Sequence, residues 1–425
     1  MDQENKSGYK KTKIGWIPEG WKIRELRNIA NIVAGGTPSR KKKEYWNGSI
    51  PWLTTSLVSF NRINETEEFI SEVGLSNSSA KLFKKGTLIM AMYGQGKTRG
   101  RVGILEIDAA TNQACAGIVV NKKSIDKYYL FHNLCFRYNE IREIGHGGNQ
   151  KNLNAELIRN IPIPIPVLFE QKKIVQILNT WDNGIEITQK LITAKEQQKK
   201  ALMQQLLVGK KRFPEFENYE WREYKYNELL LEVRRAVSFK DNERYHLISV
   251  RRRSAGLFQR ESMYGRQIKT KDLRIAKAGD FIISKMQIVH GASGLVTEKF
   301  DGMKISGSYI ALVVKNQNLL AIEFLDWLSK MPYFYHQTFI SSYGVHIEKM
   351  TFDFKTFLKL KIYVPSNIEE QQKIASVLQT ADKEIGLLKK KLTKLQQQKK
   401  GLMQVLLTGK IRVKIDEDKT KNPGF

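Results

Sequence analysis

Cysteine is scarce in this chain of 425 residues, which has only Cys115 and Cys135. So small a number excludes a disulfide scaffold and any multi-cysteine zinc site. We expect two ordinary buried thiols in a reducing compartment. The six histidines show no metal-ligand spacing, so the sequence predicts no metal site.

Long hydrophobic runs are missing as well. No apolar stretch approaches the roughly 20 residues of a transmembrane helix, and the opening MDQENKSGYKK does not have the pattern of a signal peptide. We therefore expect a soluble, cytoplasmic protein with no membrane partner.

Acidic residues are too few to balance the basic ones. The chain has 71 Lys and Arg against 43 Asp and Glu, a formal net charge of +28. Such a charge attracts polyanions, with nucleic acid as the first candidate and an anionic membrane surface as the second. The hydrophobic share of 41% is enough for folded cores.

A long internal repeat is the main feature that the sequence does contain. Residues 170–213 and 370–413 match at 22 of 44 positions, with a shift of 200 residues. A repeat of this size indicates two equivalent halves, each a folded module followed by the shared segment.

Each copy of the repeat has the pattern of a coiled-coil helix. Apolar residues recur at alternating steps of four and three, which are the a and d positions of a heptad. In the second copy they are Ile374, Leu378, Ala381, Ile385, Leu388, Leu392 and Leu395, and in the first Ile174, Leu178, Trp181, Ile185 and Ile192. The first seam is interrupted by Thr188, Lys195 and Lys199. Gly209 and Gly409 stand where a left-handed helix C-cap belongs, so each helix has about 38 residues and is roughly 55 Å long.

The two helices either pair with each other or lie separately on the surface, and the matching seams favour pairing. The first helix leads from module one to module two, so a second helix packed along it has to return. The pair is then antiparallel, the chain ends lie near each other at module one, and a pseudo-two-fold axis relates the modules.

The modules share an order of elements but differ in their loops. Module one has the strand-like segments GTLIMAMY, VGILEI and GIVV, a helix around Tyr128 to Ile144 and the exit strand IPIPIP. Module two has GDFIISK, GLVT and YIALVV, a helix around Leu320 to Met331 and the exit strand LKIYVP. Two domains that bind the same kind of ligand but read different details of it would show this pattern.

The whole chain resembles the specificity subunit of type I restriction-modification enzymes. The resemblance rests on the EQxKI start and QQKKxLMQxLLxGKxR end of both helices, the run GGTPSRKKKEYWNGSIPWLTTS at residues 35–56, and the exit strands before each helix. It implies two target-recognition domains that each read half of a bipartite, asymmetric DNA sequence. It also implies that the two helices fix the unspecified spacer between the half-sites.

The resemblance also implies partners and divides the chain. Two methyltransferase subunits would use S-adenosylmethionine, and two restriction and translocation subunits would use ATP and Mg, while this chain would bind none of these cofactors and carry no catalytic residue. The host would be bacterial or archaeal. The expected fold class is α/β, of the α+β kind, with recognition domain 1 at residues 1–166, spacer helix 1 at 167–212, recognition domain 2 at 213–366, spacer helix 2 at 367–413 and a flexible tail at 414–425.

The segment AMYGQGKT at residues 91–98 offers a different function, because it fits a relaxed phosphate-loop pattern. A true phosphate loop opens into a helix whose N-terminus holds the phosphates. Here RGRVGILEI follows, which has the pattern of a strand. A nucleotide triphosphatase is therefore disfavoured against a loop that brings basic side chains to a DNA backbone or a guanine edge.

Candidate DNA contacts lie in the basic and amide-rich loops of both modules, although such charge runs are often merely solvated surface. In module one they are Ser39, Arg40, Lys41, Gln95, Lys97, Thr98, Arg99, Arg101, Asn149, Gln150 and Lys151. In module two they are Arg251, Arg252, Arg253, Lys285, Gln287, His290, Ser308, Tyr343 and His346. Amides suit adenine, and arginine suits guanine.

Overall fold

The computed structural model describes residues 7–94, 97–144 and 152–413. The chain divides into two compact units, Met1–Thr188 with Lys391–Phe425, and Gln189–Lys390. Each unit therefore contains one module together with one half of each repeated segment.

The described residues of the first unit form short strands and four short helices, followed by a long helix. The strands are β1 (Tyr9–Thr12), β2 (Gly15–Pro18), β3 (Lys22–Glu25), β4 (Ala30–Ala34), β5 (Trp46–Leu53), β6 (Arg62–Ile63), β7 (Glu68–Ile70), β8 (Leu82–Phe83), β9 (Leu88–Ala91), β10 (Val102–Leu105), β11 (Ala109–Thr111), β12 (Cys115–Val120) and β13 (Pro162–Ile165). The helices are α1 (Glu72–Ser76), α2 (Lys127–Phe136), α3 (Tyr138–Glu143) and α4 (Ala155–Arg159), and the long helix α5 (Leu168–Leu206) follows.

The second unit is built in the same way. Its strands are β14 (Trp221–Lys225), β15 (Leu230–Val233), β16 (Arg244–Tyr245), β17 (Ile248–Val250), β18 (Leu257–Gln259), β19 (Met263–Tyr264), β20 (Leu273–Ile275), β21 (Phe281–Ser284), β22 (Ser293–Leu295), β23 (Lys304–Ser306), β24 (Tyr309–Val314), β25 (Ser342–Tyr343), β26 (Thr351–Phe352) and β27 (Lys361–Pro365). Its helices are α6 (Tyr226–Leu229), α7 (Ile322–Leu328), α8 (Pro332–Ile340) and α9 (Phe354–Lys359), followed by the long helix α10 (Ile368–Leu406).

One sheet plan occurs in both units. The first unit has the strand order β4-β12-β9-β10-β6 and the second β15-β24-β21-β22. Every pairing is antiparallel except that of β6 with β10. In both units the entry strand also pairs with the exit strand, β3 with β13 and β14 with β27. The predicted α+β modules with a common order of elements are confirmed.

The units differ in what surrounds the shared sheet. The first has a second, four-stranded sheet in the order β7-β5-β11-β8, whereas the second has two-stranded pairs such as β16-β19, β17-β18 and β20-β23. Most of these additional elements are inserted between β4 and β9 or between β15 and β21. The divergence between the modules is thus concentrated in the insertions, while four strands of the sheet have the same order in both units.

The two long helices have equivalent ends. Each contains 39 residues, a length of about 58 Å at 1.5 Å per residue. Gly209 and Gly409 follow them with φ of +70° and +72°, the left-handed C-cap predicted from the sequence. Asn367 accepts a hydrogen bond from the Glu369 N–H (2.8 Å) at the start of α10.

Ion pairs between the helices follow an antiparallel order. In the first unit Lys399 of α10 pairs with Asp182 of α5. In the second unit Lys199 of α5 pairs with Asp382 of α10, and Lys195 Nζ lies 3.0 Å from Glu384 Oε1. The two lysines that interrupt the first apolar seam therefore make ion pairs with the opposite helix.

The seam residues near the modules are the most buried. Ile174, Leu178, Ile374, Leu378 and Ile385 are buried, whereas Trp181, Ile185 and Leu392 are half-buried. The start of α5 and the end of α10 join the core of the first unit, and the end of α5 and the start of α10 join the core of the second. Helix pairing is thus continuous with the packing of each module.

Each long helix has a buried glutamate in its first turn. This glutamate pairs with an arginine in the segment that follows the opposite long helix. Glu370 accepts hydrogen bonds from Arg212 Nε (2.9 Å) and Nη2 (2.7 Å). In the first unit Arg412 pairs with Glu170 in the same way, and the Trp21 indole N–H also donates to Glu170 (3.1 Å). We call these two ion pairs the clasps. They explain why both copies of the repeat have Glu at the first position and Arg at the next-to-last.

The glutamine that follows each glutamate ties its helix to the module. Gln171 accepts from the Asp126 N–H (2.8 Å) and donates to the Pro166 carbonyl (2.9 Å). Gln371 accepts from the Ala321 N–H (2.9 Å) and donates to the Leu319 and Pro365 carbonyls. Both glutamines are buried, and these bonds satisfy their amide groups.

Three kinds of site are not found in the part of the chain that the structure describes. None of its helices is long and apolar enough to cross a membrane. No group of three or more potential ligands could hold a metal ion. Cys115 and Cys135 are free thiols rather than a disulfide, and burial raises the pKa of Cys115 to about 12.

Candidate nucleic-acid interface

Several loops of the first unit project from the same end of its five-stranded sheet, where the strands begin or terminate. We call this end the sheet edge. Strand β4 ends at this edge, β9 ends there, and β10, β12 and β6 begin there, as shown by the pairings Ala116 with Ala34, Cys115 with Ala91 and Val102 with Met90. Residues 35–43, 59–61, 92–94, 97–101 and 112–114 therefore meet along one edge. These loops carry the predicted residues Ser39, Arg40, Lys41, Lys97, Thr98, Arg99 and Arg101.

The loop at residues 35–43 is fixed by tight backbone packing. A Cβ atom on Gly35 would lie 2.1 Å from Thr111 Oγ1, and one on Gly36 would lie 2.3 Å from the carbonyl carbon of Ser79. The indole N–H of Trp52 donates to the Gly36 carbonyl (3.2 Å). Only glycine fits these positions, so the conformation of the basic loop is set by its neighbours.

Arg40 is held in place while its side chain stays exposed. Its Cζ atom lies 3.6 Å from the centroid of the Trp46 ring, and its Nη1 pairs with Glu68. The Trp46 indole N–H donates to the Ser39 carbonyl (3.1 Å). A guanidinium has five N–H donors, so a carboxylate on one side leaves others available for a base or a phosphate.

The loop between β9 and β10 presents Lys97 and Arg101. The Tyr138 hydroxyl donates to the Lys97 carbonyl (2.5 Å) and so fixes the backbone at Lys97. The Lys97 side chain itself is exposed. Arg101 Nη1 lies 3.4 Å from Ser59 Oγ, and its guanidinium lies 5.9 Å from the Phe60 ring. Arg99, in contrast, is buried with 6% of its surface exposed, so it is less accessible to a ligand than its neighbours.

The same loop lacks the geometry of a phosphate loop. Strands β9 and β10 form an antiparallel hairpin, in which Val102 pairs with Met90. Residues 97–100 form turns and lead directly into β10. The helix that would hold phosphates in a nucleotide triphosphatase is replaced by a strand.

The corresponding sheet edge of the second unit collects the residues predicted in module two. The Lys285 N–H donates to the Ser308 carbonyl (3.0 Å), and Lys285 Nζ donates to the Gly307 carbonyl (3.0 Å). The Phe352 N–H, at the end of the β25–β26 hairpin, donates to the Lys285 carbonyl (3.0 Å). Tyr343 lies on the partner strand of that hairpin.

Arg252, Gln287 and His290 also meet at this edge. Arg252 Nε donates to Gln287 Oε1 (2.7 Å), and Arg252 Nη2 lies 2.8 Å from Glu348 Oε2. His290 Nε2 lies 3.4 Å from Glu348 Oε1. The backbone N–H of Arg253 donates to the His290 carbonyl (2.6 Å). Glu348 therefore orders the basic side chains of two loops, as Glu68 does for Arg40.

Backbone strain is concentrated in these loops. Among the described residues, those other than glycine with positive φ are Asn47 (57°), Phe60 (57°), Arg253 (59°) and Ser254 (50°). Asn47 follows the basic loop of module one, Phe60 neighbours Arg101, and the other two follow Arg252. Residues in such conformations are retained where the surrounding structure requires them, and they cluster at binding sites.

The remaining predicted residues are exposed or lie outside the described ranges. Gln95, Asn149, Gln150 and Lys151 belong to the segments that the structure does not describe. Ser39, Lys41, Arg251, Ser308 and His346 are exposed, and the Arg251 guanidinium lies 4.5 Å from the Phe258 ring. The DNA-contact role of all these residues stays a prediction.

Sequence reasoning missed the carboxylates and aromatic platforms of both edges. Glu68 and Glu348 lie far along the chain from the arginines they hold, so no local pattern reveals them. Trp46 could have been found, because it follows the basic run of residues 40–43 and aromatic rings favour a stacked arginine. The clasps were also detectable, since Glu and Arg recur at both ends of the repeat.

Comparison with known proteins identifies the family. A sequence model described as the type I restriction modification DNA specificity domain matches residues 18–197 and again residues 219–397. The chain belongs to this family. Both matched segments include one module and most of the long helix behind it. The family predicted from the helix repeat and from residues 35–56 is therefore confirmed.

Individual relatives agree with this assignment. The type I restriction enzyme MjaIX specificity subunit of Methanocaldococcus jannaschii is 30% identical over 228 residues, or 52% of this chain and 50% of that protein. A putative type I restriction enzyme MjaX specificity subunit of the same organism is 25% identical over 442 residues, or 96% of this chain and 97% of that protein. The chain thus spans about half of the first relative and nearly all of the second.

A solved structure shares the fold. The crystal structure of the S subunit of a type I restriction-modification system from M. genitalium superimposes with a TM-score of 0.58 at 13% sequence identity, covering 91% of this chain and 96% of that one. The fold is thus shared over most of both chains.

Proposed function

We propose that this chain is the DNA-specificity subunit of a type I restriction-modification complex, in which each module reads one half of a bipartite target. The observation that carries the proposal is the repeated sheet edge, which displays different side chains in two segments that match the same specificity domain. Because the two edges differ in sequence, the two half-sites differ as well, and the target is asymmetric.

Ordered arginines at each edge support base reading. Arg40 in module one and Arg252 in module two are exposed, and each is oriented by a carboxylate. A pre-oriented guanidinium can form the bidentate pair with guanine O6 and N7. Lys97 and Arg101 belong to the β9–β10 loop at the same sheet edge. They would neutralise backbone phosphates, which fix the register without reading sequence.

Methylation and cleavage would be carried out by partners. The relatives are named specificity subunits of restriction enzymes, which favours a non-catalytic role for this chain. We propose two methyltransferase subunits that bind S-adenosylmethionine and two restriction and translocation subunits that use ATP and Mg. The outer faces of α5 and α10, rich in Lys and Gln, are the proposed docking surface for the methyltransferases.

The long helices would set the spacer between the half-sites. Each is continuous over 39 residues, and the clasps bind both of its ends within the modules. A stiff connection of fixed length makes the separation of two half-sites part of the recognised sequence, as half-site spacing does in other DNA-binding proteins.

A lysine substitution tests DNA contact at the first sheet edge. We expect Lys97→Ala to weaken DNA binding roughly tenfold on all sequences and to lower the slope of log affinity against log salt by about one, because one phosphate contact is lost. Titration of the complex with its methyltransferase partner, at several salt concentrations, measures both quantities.

Lys122→Ala is the matched control for this experiment. Lys122 is an equally exposed lysine, but it follows β12 at the opposite edge of the sheet, so its removal should leave the salt slope unchanged. An identical effect of both variants would argue against a localised interface. Loss of ATP binding in Lys97→Ala, with DNA binding intact, would instead support the triphosphatase alternative.

A further inference from the structure

The hairpin β25–β26 carries an exposed cluster of large apolar side chains at its tip. Tyr343, Val345 and Ile347 are 65%, 94% and 51% exposed, and we call these three residues the apolar tip. Contiguous apolar surface on a protein that must stay dissolved usually marks a binding site. The tip therefore needs a partner that accepts apolar side chains.

The hairpin beneath the tip is firmly attached to the core of the second unit. Phe352 is buried and packs with its ring centroid 5.3 Å from that of Phe357. The Asp353 N–H donates to the Ser341 carbonyl (2.7 Å), and the Asp353 carboxylate caps α9. Because the base of the hairpin is fixed, the apolar tip can contact a partner without a change in the position of the hairpin.

Basic side chains surround the tip. His346 lies between Val345 and Ile347, Lys349 follows them in the chain, and both side chains are exposed. Glu348, between Ile347 and Lys349, forms an ion pair with Arg252, which offsets its charge. Apolar residues set among cations match duplex DNA, whose phosphates flank a stack of apolar base faces.

The position of the tip selects DNA over other anionic partners. The same hairpin is bonded to Lys285 through the Phe352 N–H, and Lys285 lies in the loop that carries the candidate base-reading residue Gln287. Protein side chains such as Phe, Leu, Ile and Met can enter between base steps and partly unstack them next to such contacts.

We propose that the apolar tip is a wedge, which enters the base stack at or beside the half-site that module two reads and distorts one base step there. The inference rests on the proposed DNA-reading function and adds deformability to what module two recognises. Steps that unstack easily, such as TA and CA, are expected at the wedge position.

The test uses the complex with its methyltransferase partner and a duplex that contains the target found by mapping methylated adenines. The fluorescent base 2-aminopurine is placed in turn at each adenine position of the second half-site and its flanks, except the methylated adenine. We expect the wild type to raise the fluorescence at one step. The double variant Val345→Ser with Ile347→Ser should abolish this rise and weaken binding roughly tenfold.

Two further variants keep the result interpretable. Val345→Leu keeps an apolar side chain and should retain the fluorescence rise. Leu231→Ser removes an exposed apolar side chain (51% exposed) of β15, near the opposite end of the sheet, and should change nothing. Wild-type fluorescence and affinity in the double variant would overturn the wedge, as would unchanged DNA binding with loss of the methyltransferase partner. Failure of the wild type to bind the mapped target would instead overturn the proposed function.

Discussion

At the scale of single residues, His132 shows how burial changes chemistry inside the first unit. Its Nε2 lies 3.2 Å from Asn179 Oδ1 and 3.9 Å from Asp182 Oδ2, and 1% of its surface is exposed. Burial, together with the positive charge of Lys399, lowers the pKa of His132 to about 4. The imidazole is therefore neutral in the folded protein at neutral pH.

This pKa predicts a loss of stability in mild acid. Below pH 6.5 the unfolded chain takes up a proton at this histidine, while the folded chain does so only near pH 4. The unfolded state thus binds more protons in this window, and the free energy of unfolding should fall by about 2 kcal/mol between pH 7 and pH 5. In His132→Gln the fall in the free energy of unfolding between pH 7 and pH 5 should be smaller than in the wild type by about 2 kcal/mol. Urea unfolding at the two pH values measures this difference.

An exposed histidine provides the control for the pH experiment. His246 is on the surface of the second unit, where its Nδ1 bonds to Ser262 Oγ. His246→Gln should show the same pH dependence as the wild type. Equal losses in the wild type and in His132→Gln would contradict the account of His132.

Residues whose role depends on their neighbours in the sequence could be predicted. Residues whose role depends on contacts with distant parts of the chain could not. Gly209 and Gly409 were predicted as C-caps because a left-handed residue after a helix favours glycine. Glu68 and Glu348 were missed, because each meets its arginine through tertiary folding. Arg99 was included with the basic loop, and the sequence alone did not reveal its burial.

At the scale of elements, the clasps connect the ends of the long helices to the modules. Glu370 is completely buried and Arg212 is its ionic partner. The hydrogen bonds with Glu370 raise the pKa of Arg212 above its ordinary value. Arg212 also donates to the carbonyl of Tyr219 (2.6 Å), so one side chain links the turn after α5 to the start of α10.

Removal of this arginine should destabilise the second unit. We expect Arg212→Ala to cost about 3–5 kcal/mol, because it leaves the Glu370 carboxylate buried without its partner. Chemical denaturation with a probe in the second unit measures the change.

A neighbouring lysine and a double variant sharpen this test. Lys210 is exposed in the same turn, so Lys210→Ala should change stability by less than about 0.5 kcal/mol. Arg212→Met combined with Glu370→Leu should recover much of the loss, since no charge remains buried. A cost below about 1 kcal/mol for Arg212→Ala would show that the clasp does not hold the helix ends.

Strands and helices with strong patterns were predicted well. The strands β9, β12, β21 and β24 lie within apolar runs that the sequence marks clearly. The helix expected around Tyr128 to Ile144 is two helices, α2 and α3, broken at Arg137, which donates to the Pro162 carbonyl and pairs with Glu140. This break depends on the contact between Arg137 and the exit strand β13. The local sequence around Arg137 does not reveal that contact.

At the scale of the whole chain, duplication explains both what is shared and what differs. The repeated helices were predicted from the shift of 200 residues, and the common order of elements was predicted from the apolar segments of the two modules. The second sheet of module one and the two-stranded pairs of module two were not, because the identity between the modules dissolves there. Under the proposed function their sequences are free to differ, because these insertions contribute to loops that would read different DNA.

The central claim is that the modules read two half-sites while α5 and α10 set the spacer. The most direct measurement is methylated-adenine mapping in cells that contain the partner subunits and a variant lacking residues 187–193 and 388–394. This variant keeps the Lys399–Asp182 and Lys199–Asp382 ion pairs and shortens each helix by about 10 Å. We predict unchanged half-sites with a shorter spacer between them, whereas an unchanged spacer, or an altered half-site, would contradict the account.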